Sequence, residues 1–277
     1  MILVACGADD ASRSLRFSVS SDQNATELAE NSKLITKYLA ATLGVSVEFV
    51  PASDSQTAVE MFREGDIDLV WLDGLSGVKA REGQGAARAI AQGVSDSKNF
   101  SYFIAHASTR KTQHPNFPTY VRRLNFTFGP EGSTSGHLMP EYFFRKRTGY
   151  KSTSYLQIPA SYSTNQIHTV KLVESGKCEA GVVNYKVYEK LVDEGELNPK
   201  ICSIIWKSPT YPDYHWTAHP DLDKRYGEGF IDRLQAALIA IDKPQLLAAL
   251  PRQKLVSAKN EDYEPLRKVS SDLGLLD

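Results

Sequence analysis

The sequence has few cysteines, almost no net charge and no long apolar run. Of its 277 residues only Cys6, Cys178 and Cys202 are cysteines, and they show neither a CxxC spacing nor a Cys/His pattern typical of a metal site. The 32 basic and 33 acidic side chains leave a formal net charge of −1, which gives no field suited to nucleic acid or to an anionic membrane surface. No apolar stretch approaches the roughly 20 residues that cross a bilayer. A bound anion therefore has to be held by local geometry.

The most informative segment is residues 128–139, which read FGPEGSTSGHLM. The pattern predicts a strand, a glycine-rich turn and a helix opened by Ser133, Thr134 and Ser135. The first N–H groups of a helix have no intrahelical partner, and the macrodipole places about half a positive charge there. The hydroxyls would add donors, and Gly132 and Gly136 would let a ligand approach the backbone. Serine and threonine are also ordinary helix caps, so the tripeptide alone leaves that alternative open.

Short apolar runs alternate with helical patterns, which predicts an α/β chain with mostly parallel sheets. We expect a tether at residues 1–14, a first lobe formed by residues 15–106 and 217–277, and a second lobe at residues 107–216. The strand at residues 102–106 completes the first lobe in this interpretation. The polar segments 108–118 and 209–214 are the expected crossings between the lobes.

The tripeptide belongs to a wider pattern that resembles the periplasmic phosphonate/phosphite-binding proteins of ABC transporters, which carry Ser-Thr-Ser-Gly at the ligand. The resemblance runs from about residue 15 to 250 and includes SDQNATEL at 21–28, FVPASD at 49–54, IDLVWLDG at 67–74, SYFIAH at 101–106, GVVNY at 181–185 and IWKSP at 205–209. Several of these motifs look closest to a branch described as selenate-binding.

The resemblance implies a two-lobe type II periplasmic binding protein fold with two crossings between the lobes. A ligand between the lobes would close them about hinges near residues 105–109 and 210–216. It implies a monomer that binds a small oxyanion and presents it to an ABC permease, with no catalysis, no cofactor, no metal and no nucleic acid.

The resemblance also implies the ligand groups Ser133, Thr134, Ser135, Gly136 and Asp213. A carboxylate suits an anion that carries a proton, because ionised Asp213 can only accept and a P–OH group can donate to it. The alternative for Asp213 is an ordinary turn aspartate beside a proline.

The chain departs from the family pattern at two expected ligand positions. Gln166 stands where the family has a histidine, and Ser55 stands where it usually has a tyrosine. These changes alter both charge and pocket volume, so they leave the identity of the ligand open. Further candidates, each of which could equally be an ordinary strand-end residue, are Tyr102, Asn184 and Tyr185.

Three other functions are compatible with parts of the sequence, and one of them is a cofactor-free synthase or lyase built on the same two-lobe fold. The ligand could be selenate or another oxyanion rather than phosphonate, phosphite or phosphate. A hydrolase triad could be built from Ser133 or Ser135 with a histidine and Asp213, but no Gly-x-Ser-x-Gly elbow encloses a candidate serine.

Residues 3–6, LVAC, match a bacterial lipobox and predict lipidation of Cys6. Only five residues precede Cys6, so the charged and most of the apolar part of a signal peptide are missing, and we expect a truncated start. The expected location is the periplasm or cell surface, with a lipid anchor as the only membrane contact. A disulfide between Cys178 and Cys202 is left open.

Overall fold

The chain forms two compact units, each built on one β-sheet. The computed structural model describes residues 14–20, 25–250 and 252–276. The first unit comprises the described residues up to Ser97 together with Tyr214–Glu264, and the second comprises Lys98–Asp213 and the described residues from Pro265 on.

The strands are β1 (Leu15–Val19), β2 (Val47–Phe49), β3 (Leu69–Leu72), β4 (Arg88–Gly93), β5 (Ser101–His106), β6 (Phe126–Phe128), β7 (Ser161–Tyr162), β8 (Ala180–Asn184), β9 (Cys202–Lys207), β10 (His215–Ala218) and β11 (Leu255–Ser257). The α-helices are α1 (Ala25–Leu43), α2 (Ser55–Arg63), α3 (Gly74–Arg81), α4 (Met139–Thr148), α5 (Ser152–Tyr155), α6 (Gln166–Glu174), α7 (Tyr185–Asp193), α8 (Leu222–Tyr226), α9 (Phe230–Ile239), α10 (Pro244–Ala249) and α11 (Glu264–Asp272).

The first sheet has the strand order β11-β4-β10-β3-β1-β2. Its strands β2, β1 and β3 are parallel, whereas β10 runs antiparallel to both β3 and β4. All four residues of β3 are buried, as expected for a strand covered on both faces. Helix α2 follows Asp54, whose side chain accepts the Thr57 N–H at 2.8 Å and so caps the helix.

The second sheet has the order β7-β6-β8-β5-β9, and it corrects the predicted position of β5. We expected residues 102–106 to complete the first lobe, but β5 pairs antiparallel with β8 and β9 in the second sheet. A hydrophobic pattern alone predicts a buried strand but does not predict which strands pair with it. The chain therefore leaves the first unit after Ser97, earlier than the predicted crossing, and returns to it at Tyr214.

The C-terminal helix also differs from the prediction. We expected residues 217–277 to return to the first lobe, but the chain from Pro265 on groups with the second unit. The Arg145 side chain donates to the Asp272 carbonyl at 3.1 Å and joins α11 to α4.

The described cysteines form no disulfide, since Cys178 and Cys202 are both free and buried. Burial raises the pKa of the Cys202 thiol to about 12. Cys6 lies outside the described residues. Among the helices that the structure describes, none combines the length and the apolar character needed to span a membrane.

Candidate functional site

The serine-rich segment opens a helix, as the sequence predicts. After β6, Ser133 is the N-cap residue with φ −80° and ψ 144°, and Thr134–Leu138 form a turn of π-helix that runs directly into α4. The N–H groups of His137 and Leu138 both donate to the Ser133 carbonyl, at 3.1 and 3.0 Å. Single π-turns of this kind occur often at functional sites. The helix start therefore has an irregular backbone at Ser133–Gly136.

Two glycines bring the turn and the helix start into close contact. The Gly129 N–H donates to the Gly136 carbonyl at 2.9 Å. A Cβ at Gly136 would lie 2.6 Å from Ser133 Oγ and 2.8 Å from Gly129 Cα. The space at Gly136 is thus filled by protein atoms rather than left open for a ligand. Gly132 is different, because it has φ +85° and, its chain neighbours apart, no heavy atom of the described residues lies within 4 Å of where a Cβ would be.

Gln166 joins the start of α6 to this helix start. Its Oε1 accepts the Asn184 N–H at 3.0 Å, which fixes the orientation of the amide. Its Nε2 then faces the two hydroxyls, 3.4 Å from Ser133 Oγ and 3.4 Å from Ser135 Oγ. These contacts are long, and they make Gln166 a support for the serines.

The described residues use the lone pairs of both serine hydroxyls, and no acceptor among them receives either hydroxyl proton. Ser133 Oγ accepts from the Gly136 N–H at 2.9 Å and from Gln166, and Ser135 Oγ accepts from Gln166 and from Asn184 Nδ2 at 3.3 Å. A hydroxyl has one donor and two acceptor sites. Both O–H groups are therefore suited to donate to an anion.

Asn184 and Asp213 extend the same network. Asn184 caps α7 by accepting the Lys186 N–H at 3.0 Å, and its Nδ2 also lies 3.4 Å from Asp213 Oδ2. Asp213 is fully buried, and the same oxygen accepts from Asn99 Nδ2 at 2.6 Å. The structure thus brings Ser133, Ser135, Gln166, Asn184 and Asp213 together within the second unit.

Three helix N-termini meet in this network. Ser133 caps the π-turn that leads into α4, Asn165 caps α6 next to Gln166, and Asn184 caps α7. Each helix start carries about half a positive charge, which favours a nearby anion. The site consequently combines hydroxyl and amide donors with a favourable field, and Asp213 supplies an acceptor.

Sequence reasoning missed a second layer that holds the helix start. Ser101, the first residue of β5, donates to the Ser135 carbonyl at 2.7 Å, and its hydroxyl also bonds to the Tyr211 hydroxyl. Tyr211 is buried, and desolvation raises its pKa well above the ordinary tyrosine value, with a further contribution from Asp213. Ser101 belongs to the motif at 101–106 and Tyr211 to the polar segment at 209–214. No local sequence signal predicts that their hydroxyls are in contact.

Three predicted residues lie outside the network. Tyr102 donates to Glu189 at 2.9 Å, and desolvation, followed by that contact, raises its pKa to about 12. Tyr185 stacks on Phe100 with ring centroids 3.9 Å apart. Ser55 belongs to the first unit, where its hydroxyl lies 2.6 Å from Ser20 Oγ, directly after β1.

The arrangement does not resemble a hydrolase triad or a metal centre. Among the described residues, no histidine bonds to the Ser133 or Ser135 hydroxyl, whose partners are amides and a backbone N–H. The described part of the chain also contains no group of three or more His, Cys, Asp or Glu that could hold a metal ion. Thr134 is fully buried at the start of the π-turn.

Comparisons with known proteins agree with this picture. Residues 17–263 match the sequence family described as "ABC transporter, phosphonate, periplasmic substrate-binding protein". The chain is 33% identical to the probable ABC transporter phosphite binding protein PhnD1 of Prochlorococcus marinus over 259 residues, which is 91% of this chain and 87% of that protein. It superimposes on the solved structure of that PhnD1 in complex with methylphosphonate with a TM-score of 0.84, covering 95% of this chain and 98% of that one at 31% identity. A binding protein component of a Pseudomonas aeruginosa ABC phosphonate transporter gives a TM-score of 0.74 over 94% of this chain and 86% of that one; at 17% identity it supports the fold alone.

Proposed function

The chain belongs to the periplasmic phosphonate substrate-binding proteins of ABC transporters, and on that premise we propose that its ligand is a small phosphonate- or phosphite-like oxyanion bound at Ser133–Gly136. The predicted α/β type II periplasmic binding fold is confirmed, as is the role of a solute-binding protein rather than an enzyme. Proteins of this family work outside the cytoplasm and deliver their ligand to a permease.

The observation that carries the proposal is the free donor capacity of two serines. Ser133 and Ser135 accept hydrogen bonds from the protein, so both protons can turn towards oxygen atoms of the ligand. The three helix N-termini stabilise negative charge at the same place. This donor set needs no formally charged cation to hold the anion.

Asp213 supports a ligand that carries one proton. Its Oδ2 accepts hydrogen bonds from Asn99 and Asn184, and an ionised carboxylate can accept a further hydrogen bond from a P–OH group. A phosphorus oxyanion with a second pKa of about 6 keeps that proton in part of its population near neutral pH. Selenate is fully ionised near neutral pH, so it has no O–H group to donate to Asp213 and would be repelled by the carboxylate.

Competition binding of phosphite, methylphosphonate and selenate at several pH values tests this function. We expect the phosphorus ligands to bind preferentially, with affinity falling as pH rises past the second pKa of each ligand. Asp213→Asn keeps an acceptor oxygen for Asn99 and removes the charge, so it should relax discrimination against selenate. Asp193→Asn, an exposed charge at the end of α7, is the matched control. Preferential binding of selenate without pH dependence would refute the proton argument and favour the other ligand.

Three further parts of the proposal lie beyond the site itself. We propose that Cys6 carries a lipid anchor, on the basis of the LVAC pattern alone. We also propose that Ser55 contributes to ligand binding and that the protein works as a monomer. Mass spectrometry of the native protein tests the lipid, Ser55→Ala in the same competition assay tests the contact, and sedimentation tests the monomer.

A further inference from the structure

The net charge of the chain is close to zero, but basic and acidic side chains are distributed unevenly along it. Residues 107–160 contain eight basic and two acidic side chains, a net charge of +6, whereas the rest of the chain has a net charge of −7. The whole excess belongs to one continuous part of the second unit. Overall charge therefore understates the field that this part of the surface presents.

Seven of these eight cations are exposed and form no ion pair with any residue that the structure describes. The exception is Arg145, which pairs with Glu141 at 3.4 Å. The seven are Arg110, Lys111, Arg122, Arg123, Lys146, Arg147 and Lys151. None of them forms a salt bridge with a carboxylate in the part of the chain that the structure describes. Their charges are available to a partner.

Aromatic contacts join two of these cations, Lys111 and Arg122, to neighbouring elements of the second unit. Lys111 Nζ lies 4.6 Å from the ring centre of Tyr120, which shares a short 3₁₀ helix (Thr119–Arg123) with Arg122 and Arg123. The Arg122 guanidinium lies 5.5 Å from the ring centre of Tyr155, the last residue of α5.

The other end of α5 continues the surface. Lys151 is its N-cap residue, and the chain reaches it from Arg147 in the last turn of α4 through Gly149 and Tyr150. Tyr150 is 60% exposed. We call Lys111, Arg122, Arg123, Arg147 and Lys151 the basic strip.

Local helix electrostatics explains only part of the strip. Cations in the last turn of α4 complement its dipole, which accounts for Arg147. Lys151 lies at the start of α5, where a cation is unfavourable, and Lys111 lies in a segment without helix structure. Grouping these charges costs repulsion in the free protein, and an anionic partner would relieve it.

We propose that the basic strip docks on the anionic lipid headgroups of a membrane surface. The strip offers long cationic side chains next to the exposed Tyr150, and such surfaces suit a lipid interface, where cations meet headgroups and aromatic rings lie at the polar boundary. The residues form no part of the oxyanion site, so the proposal is independent of the ligand. An acidic protein partner is the competing occupant.

Sedimentation of the unacylated full chain with lipid vesicles tests the proposal. We expect binding to phosphatidylcholine vesicles that contain phosphatidylglycerol, no binding to phosphatidylcholine alone, and loss of binding at high salt. Each cation near the surface contributes about a fivefold factor in partitioning. Arg147→Gln with Lys151→Gln should therefore weaken binding about 25-fold. Lys177→Gln with Lys190→Gln, exposed cations of the same unit outside residues 107–160, removes the same charge and should change little.

Several results would overturn the inference. The unmodified protein alone can refute the inference: it would do so by binding neutral and anionic vesicles equally, or by binding neither at low salt. An equal loss in the control pair would show that general charge, not the strip, is responsible. If the strip variant lost binding to the solubilised permease instead, the partner would be an acidic protein surface. The oxyanion affinity of the same samples is measured as well. Because the strip lies outside the oxyanion site, this affinity tests the proposed ligand site separately from vesicle binding.

Discussion

Replacing Ser135 by alanine is the sharpest test of the oxyanion site. The hydroxyl oxygen accepts hydrogen bonds from Gln166 and Asn184, so the O–H group can donate a hydrogen bond to an oxygen atom of the ligand. Losing one hydrogen bond to a charged ligand costs about 1.5–3 kcal/mol. Since about 1.4 kcal/mol is a tenfold change, the Kd should rise about 10- to 150-fold.

The cost to folding should be much smaller. Gln166 keeps its contacts with Ser133 and with the Asn184 N–H, and Asn184 keeps its contact with Asp213. The two lost contacts are long, so we expect the free energy of unfolding to fall by about 1 kcal/mol or less. Affinity and stability therefore separate in this variant.

Calorimetry with phosphite and with methylphosphonate measures the affinity, and thermal unfolding of the ligand-free protein measures the stability. Ser270→Ala is the matched control, because Ser270 is a fully buried serine of the same unit whose hydroxyl donates to the Leu266 carbonyl at 2.8 Å. A Kd for Ser135→Ala within twofold of the unmodified protein would show that the ligand lies elsewhere.

Three further predictions follow from particular contacts. Gly136→Ala should abolish oxyanion binding and lower the unfolding temperature, because its Cβ would lie 2.8 Å from Gly129 Cα; calorimetry and thermal unfolding check both effects, and unchanged affinity would contradict the packing. Tyr102→Phe should leave the Kd within about twofold, because the Tyr102 hydroxyl bonds to Glu189 rather than to the ligand. If that hydroxyl did donate to the ligand, its loss would weaken binding by about 1.5–3 kcal/mol, and the Kd measured by calorimetry would show it. Asp54→Ala should lower the free energy of unfolding by about 1 kcal/mol at neutral pH. The Thr57 N–H lowers the pKa of Asp54 in the folded state, so this stabilisation is complete above the unfolded pKa and is lost as pH falls through the folded one; denaturant unfolding at several pH values measures it, and a difference that grows in acid would be inconsistent with the cap.

The pattern of residues 128–139 was sufficient to predict the helix start at Ser133–Ser135. Turn glycines, hydroxyl caps and an apolar strand are local signals, and local backbone preferences follow from them directly. The alternation of strands and helices likewise predicted the α/β class. The cap of α2 at Asp54 is a local feature of the same kind, since Asp54 accepts the N–H of Thr57 three residues along the chain.

Pairing between distant strands lay beyond the sequence. Residues 101–106 read as a buried strand, and only the tertiary structure decides that β5 joins β8 and β9. That placement puts Ser101 against the Ser135 carbonyl, a contact that no spacing predicts.

The same limit applies to Gln166 and to the basic strip. Sequence comparison marked Gln166 as a departure from a family pattern, but its role depends on the Asn184 N–H that orients its amide. The charges of residues 107–160 are countable in the sequence, yet their continuity rests on Lys111 meeting Tyr120 and Arg122 meeting Tyr155. The sequence by itself thus determined the local structure and the types of chemical group, because these depend on neighbours along the chain. Which groups share a hydrogen-bond network or a surface was decided by packing between residues far apart in sequence, and that required the tertiary structure.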